Sequence, residues 1–511
     1  MPLSSDAATP PRFDIGEPSL QPIWVDPRSG DDRASGRSQD AAVLTIAEAW
    51  NRVPRSTPGT PFTGQGYEIL LAPGEYPADT LPTYWEQRYG TFAAPVVIRA
   101  AGGAGTAILR GGLNVAHVAY LYLVDVDVVP RPAGDAVHCE DCDHVLLRNV
   151  TLVGGVRPVD GVEASVAHET LKVNQSTHVY VEDSRIQGAD DNAIDFVAVQ
   201  EGHIVRNRVS GATDWCAYVK GGSASILVDS NEFFDCGTGG FTAGQGTGLQ
   251  FMTSPWLHYE VYGIRVVNNY VHDVEGAGLG VNGGFNVLLA WNTLVRVGSR
   301  SHVIEAGFGA RSCDAAAVAA ELAACQARID AGAWGTTAVD DGDNYIRIPN
   351  RHVFILNNIV DNQGTASAYQ HFAVPGPFTR GGSGPGTPDS AVADEDLRIA
   401  GNVIWNGGPG HALGLGGESG CPGTHATCGE TAVRARNWIN AVAPAFVDAG
   451  NGDLRPAGEV ARLTSEDVPP FVWQDLPATP RAPAGDTVVG VAFDRAGRPR
   501  QAGDPPGAWT R

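Results

Sequence analysis

Lysine is almost absent from this chain. Of its 35 basic residues only Lys172 and Lys220 are lysine, 48 positions apart; the rest are arginine. Arginine stays protonated in proteins, whereas a lysine amine can release its proton. The two lysines are therefore either scattered leftovers of an arginine-biased composition or places where chemistry needs an amine. Positive charge as a whole is scarce, since 57 acidic residues leave a net charge of −22. That argues against a nucleic-acid binder, which carries a basic face, and a polyanionic ligand would need a local arginine cluster or a bridging cation. No apolar run reaches the roughly 18 residues of a membrane-spanning helix. The first residues, MPLSSDAATPPRFD, carry no basic or apolar leader pattern.

What is present is turn-rich and apolar. There are 64 glycines and 34 prolines, yet 43% of residues are hydrophobic, too many for a disordered chain. The eight cysteines fall into short-range pairs: Cys139/Cys142, Cys216/Cys236, Cys313/Cys325 and Cys421/Cys428. An even, paired count implies disulfides and an oxidising compartment. The expectation is a secreted, periplasmic or cell-surface protein whose signal peptide is absent from this chain. HCEDCDH (138–144) has two readings, a loop disulfide or a small metal site.

The middle of the chain repeats apolar alternation, then Asn or Asp, then an apolar residue. VLLRNVTL, VYVEDSRI, GHIVRNRV, ILVDSNEF, IRVVNNYV, VLLAWNTL, VFILNNIV and LRIAGNVI share it. Their closing residues, with Val128 ahead, are Leu152, Ile186, Val209, Phe233, Val271, Leu294, Val360 and Ile404. The spacings are 24, 34, 23, 24, 38, 23, 66 and 44. A base period of 23–24 with insertions, built from β-branched alternation, predicts a solenoid of strands. We read it as an all-β right-handed parallel β-helix. Asn207, Asn231, Asn269, Asn292, Asn358 and Asn402 recur at one place in the repeat, where stacked amides can satisfy a buried turn. The expected organisation is an N-terminal segment and cap helix at 1–64, with the helix in LTIAEAWNRV (44–53). The β-helix follows at 65–405, with insertions at 306–350 and 363–395, then C-terminal coils and tail at 406–511. The first insertion should carry a helix at 315–330.

Aligning a second strand of each coil leaves a polar column: Lys172, Asp195, Lys220, Gln250, Asn282 and Glu305. Equivalent residues of adjacent coils lie about 4.8 Å apart, so the two lysines would share one outward ladder with Asp195 between them. GADDNAID places Asp190, Asp191 and Asn192 just before Asp195, and Glu169 lies one coil earlier. Clustered oxygen ligands of this kind suit Ca²⁺. Their alternative is a turn beside a self-neutralising Lys–Asp–Lys ladder.

Together the β-helix, DDNAID and the lysine of VKGG one coil later resemble polysaccharide lyase family 9, the calcium-dependent pectate lyases and their relatives. Carried over residue by residue, the resemblance implies a Ca²⁺ site from Glu169, Asp191, Asn192 and Asp195, with Lys220 as Brønsted base. Glu169 and Asn192 stand where the family has aspartate, and Lys172 is an added positive charge. The implied reaction is β-elimination on a uronate-containing polysaccharide. The base takes the C5 proton while a cation neutralises the carboxylate, and the bond to O4 then breaks. Lys220 would need a pKa well below the ordinary ~10.4 to act as base. Lys172, Trp215, Tyr218, Gln250, Asn282, Arg300, His302 and Glu305 are the expected substrate-binding residues, with Trp256, Tyr259 and Arg311 also near. The remaining classes are a glycoside hydrolase using Asp191/Asp195 or Asp195/Glu305, and a non-catalytic carbohydrate-binding surface protein. A monomer is expected.

Overall fold

The computed structural model describes residues 10–510 apart from 156–166, 316, 339–344, 363–368, 377, 380–389, 392–394, 406–410, 416–419, 422 and 469–491. Most of the expected 363–395 insertion and part of the 406–511 tail therefore lie outside the described residues.

Short alternating runs make strands whose inward residues meet their counterparts on the next coil, and the result is a right-handed parallel β-helix. One sheet of twelve strands runs from Gly74–Tyr76 to Trp438–Ile439. The apolar column of the sequence repeat runs through it in unbroken register, Val128 to Leu152, Ile186, Val209, Phe233, Val271, Leu294, Val360 and Ile404. All nine side chains are buried in one core. The column extends beyond the repeat at both ends, to Leu109 and Tyr76 and to Ile439.

The asparagines form the expected ladder. Each Oδ1 accepts the backbone N–H of the residue one coil earlier at 2.9 Å. Each Nδ2 donates to a carbonyl of that earlier coil at 2.7–2.9 Å. Ser184 ends the ladder on one side and Asn437 on the other. A buried turn repeated on every coil would otherwise leave a polar group unsatisfied each time.

The cap helix spans Ile46–Arg52, with Thr45 Oγ1 accepting the Glu48 N–H and Ile46, Ala49 and Trp50 buried. The solenoid begins before residue 65, because Leu20–Val25 already pairs with Gly66–Leu71. In the 306–350 insertion the helix is Ala319–Asp330, starting four residues later than expected. Cys313–Cys325 ties it to the body, where it packs on Leu249, Met252 and Leu257. The other three cysteine pairs also form disulfides as paired by spacing. Cys139 and Cys142 are thus bonded to each other, not to a metal, and His144 stacks between Tyr120 and His178. Among the described residues no helix is long and apolar enough to cross a membrane.

Candidate active site

The polar column of the sequence is two columns on one face. Register runs Lys172, Asp195, Tyr218, Thr242, Gly280, Glu305. Lys220 instead faces Val197, and Asn282 faces Gly307, each two residues downstream of the first column. A slip of two keeps a side chain on the same face of a strand, so the sequence pattern does not distinguish the columns. Gln250 belongs to neither. It is buried in the short turn Leu249–Phe251, outside the strands that carry both columns.

The first cluster forms where three turns stack. The Asp191 N–H donates to the His168 carbonyl and the Asp214 N–H to the Asp191 carbonyl, so His168, Asp191 and Asp214 lie over one another. Glu169 and Asp195 are buried. Lys172 Nζ donates to Glu169 Oε1 at 2.8 Å and lies 3.4 Å from Asp195 Oδ2. His168 Nδ1 lies 2.8 Å from the other Glu169 oxygen, Oε2. Burial would raise the Glu169 carboxyl, but Lys172 and His168 outweigh it and hold it below the usual range. Burial would lower the Lys172 amine, and Asp195 and Glu169 outweigh it and raise it. Lys172 is therefore a fixed ammonium. Asp195 is raised by burial despite both lysines, and its Oδ1 has no hydrogen-bond partner. Asp191 is pushed up to about 6 by burial, Asp214 and Glu169.

Lys220 is held differently. Its Nζ lies 4.4 Å from the centre of the Tyr218 ring. Among the described residues, no carboxylate lies within 4.0 Å of it. The turn that follows needs glycine, with Gly221 and Gly222 at φ +69° and +81°. The Gly221 N–H donates to Glu260 Oε2 at 3.1 Å, and Thr247 Oγ1 donates to the same oxygen at 2.6 Å. Arg311 Nε donates to Glu260 Oε1 at 2.9 Å, and both side chains are fully buried. Arg311 is thus a structural partner of Glu260 and does not reach the face where a substrate would lie.

As arranged, Glu169, Asp191, Asn192 and Asp195 do not fit Ca²⁺. Both Glu169 oxygens are taken by Lys172 and His168. Asn192 is fully buried and its Oδ1 accepts the Trp215 N–H at 3.1 Å. Asp191 and one oxygen of Asp195 remain, against the 6–8 oxygens that Ca²⁺ takes. His168, Glu169 and Asp191 do bring ligand atoms within 4.8 Å of one another, but an imidazole suits a transition metal better than calcium.

A second cluster lies along the same face. Asn282 Nδ2 donates to Glu305 Oε1 at 2.6 Å and to Thr242 Oγ1 at 3.1 Å. His302 Nε2 lies 2.9 Å from Glu305 Oε2, and Ser301 Oγ 2.7 Å from His302 Nδ1. Gly280 makes this possible. A Cβ there would come within 2.8 Å of Thr242 Oγ1 and 2.9 Å of Glu305 Oε1. Arg300 is exposed beside it, with a long 3.4 Å contact to Thr238. Asp195 and Glu305 are four rungs apart, roughly 19 Å. A glycosidase pair needs about 5–9.5 Å, so these two do not form one.

Trp215 and Tyr218 are 3% and 2% exposed and pack together with Ala277, so neither offers an open ring for a sugar to stack on. Trp256 is likewise buried, against Tyr262 and Phe285. Sequence reasoning missed His168, Asp214 and Glu260. His168 directly precedes Glu169 in AHETLK, and that adjacency was the available signal. Glu260 carried none, because its partners come from Gly221, Thr247 and Arg311, far apart in sequence.

A family model described as a right handed beta helix region matches residues 135–310. No curated protein matches the sequence. Among solved structures, the chain is similar to pectate lyase Pel9A at 14% identity and a TM-score of 0.43, over 77% of this chain and 82% of that one. It is similar to the Azotobacter vinelandii mannuronan C-5 epimerase AlgE6 A-module at 14% identity and 0.39, over 69% and 88%. A rhamnogalacturonan lyase follows at 12% and 0.40, over 69% and 84%.

Proposed function

We propose that this protein is a secreted polysaccharide lyase, working as a monomer, that cleaves a uronate-containing polysaccharide by β-elimination with Lys220 as the base. The observation that carries the reading is the contrast between the two lysines. Lys172 is clamped by two carboxylates and kept charged. Lys220 stands on the same face, paired with no carboxylate among the described residues and resting on the Tyr218 ring. Among those residues no carboxylate holds Lys220 in a direct ion pair as Glu169 and Asp195 hold Lys172, although its charge acts on Asp195 more strongly than that of Lys172 does.

In this mechanism the uronate lies along the outer face with its C5–H toward Lys220 Nζ. The neutral amine takes the C5 proton, the C5–H electron pair forms the C4–C5 double bond, and the C4–O4 bond breaks so that O4 leaves with the departing chain and takes a proton from water. Lys220 then returns its proton to solvent. Positive charge beside the sugar carboxylate makes that proton acidic. The Asn282–Glu305–His302 group, three rungs or roughly 14 Å beyond Tyr218, contacts sugars further along the chain. Arg300, exposed at the same end, meets a second uronate carboxylate. The four disulfides support an extracellular site of action.

The reaction products test this. On a panel of polyuronates the lyase yields unsaturated ends that absorb in the near ultraviolet and takes up no oxygen from labelled water. A hydrolase acting through Asp191 and Asp195 would incorporate that oxygen and give no absorbance. Binding without depolymerisation on every substrate would leave a carbohydrate-binding protein.

A further inference from the structure

Lys172 and Asp195 are direct neighbours on adjacent strands. The ammonium reaches Glu169, 2.8 Å away, and Asp195, 3.4 Å away, and so joins carboxylates from two successive coils. A metal ion bridging the same carboxylates would need the space Nζ fills, and a dication beside an ammonium is repelled. The other donors are committed as well. His168 holds the second Glu169 oxygen and the Trp215 N–H holds the Asn192 carbonyl. The Lys172 side chain is only 25% exposed, so packing fixes its position. An ammonium has three N–H donors. Glu169 and Asp195 take two, which leaves one.

Resting on the reading of this face as a uronate site, we propose that Lys172 is its resident cation, in place of a divalent metal. It ties Glu169 to Asp195 and turns its third N–H toward the substrate carboxylate, next to Lys220. The wild-type site then works without calcium. Removing the ammonium would leave Glu169, Asp191 and Asp195 without the cation that bridges two of them, with His168 still on one Glu169 oxygen and Lys220 acting on Asp195 from a distance, a set of hard oxygens open to Ca²⁺.

Calcium titration by calorimetry on wild type and Lys172→Met, with thermal midpoints in calcium and in chelator, tests this. Wild type is expected to show no single-site binding up to about 1 mM calcium, the weak end for extracellular calcium modules. Its midpoint should be equal in calcium and chelator, since a ligand that binds the folded state raises it. Lys172→Met is expected to gain one calcium site and a calcium-dependent midpoint, both lost again with Asp195→Asn. A wild type that binds calcium, or whose midpoint rises with it, overturns the proposal. So does a folded Lys172→Met that binds none. Should the variant fail to fold, the wild-type midpoints alone decide. These readouts are independent of catalysis, so failure of the lyase reading appears separately, as an absence of unsaturated products.

Discussion

At the scale of single residues, the scarcity of lysine pointed to one face of the solenoid. Lys172 and Lys220 do stand together there, and Asp195 carries the influence of both. Their different environments were not legible, because which carboxylate reaches which amine depends on how turns stack. Asp191 shows the cost of gathering charge in this way. Its carboxyl is pushed up to about 6 by burial, Asp214 and Glu169, so ionising it at neutral pH works against folding. Asp191→Asn is expected to stabilise the protein at pH 7, by on the order of 1 kcal/mol after allowing for solvent. The gain should fade as pH falls through about 6 toward the ordinary carboxyl range, where the wild-type group takes up its proton. Thermal unfolding of the two proteins across that range checks both sign and window. An unchanged or lowered midpoint at pH 7 would mean that Asp191 is not strained.

At the scale of strands and turns, the apolar column was legible to the residue and the polar column was not. Buried positions such as Ile186, Val209 and Phe233 must be apolar on every coil, and they lie in register as aligned. The outward positions of the site carry no such constraint. The first column passes through Tyr218, Thr242 and Gly280, residue types that an alignment on charge skips. It took Lys220 and Asn282, two places on, instead. The turn after Lys220 hangs on Glu260, which joins Gly221, Thr247 and Arg311. Glu260→Ala leaves a fully buried guanidinium unpaired, at a cost of about 3–5 kcal/mol. It also frees the turn that sets the lysine. Denaturant unfolding should show the full loss. A loss near zero would mean that Arg311 finds another partner or water.

At the scale of the whole molecule, period, fold and cap helix followed from the sequence because a solenoid repeats its physics every coil. The clamp that holds the N-terminal segment did not, since it joins residues 169 positions apart. Glu182 accepts the Phe13 N–H, Arg148 Nε and His203 Nε2, each at 2.6 Å, and is fully buried. Burial would raise its carboxyl, but His203 and Arg148 outweigh it and hold it at about 2. That stabilisation is fully present above the ordinary carboxyl pKa and is lost as pH falls from there toward about 2. Glu182→Gln should therefore cost about 3 kcal/mol at neutral pH and flatten the acid limb of the stability profile. An acid limb as steep as wild type would place the acid sensitivity elsewhere.

The same face, from Lys172 to Glu305, spans five rungs, roughly 24 Å, long enough for several sugar units of an extended polysaccharide. Whether chemistry occurs on it comes down to one amine. The decisive measurement is the near-ultraviolet absorbance released from a cleaved polyuronate by wild type and by Lys220→Arg, with folding of both verified. Arginine keeps the charge and cannot act as the base, so the rate should fall ~10²–10⁴-fold. The wild-type rate should also rise toward alkaline pH. A folded Lys220→Arg that keeps most of the wild-type rate would contradict the assignment of Lys220 as the base.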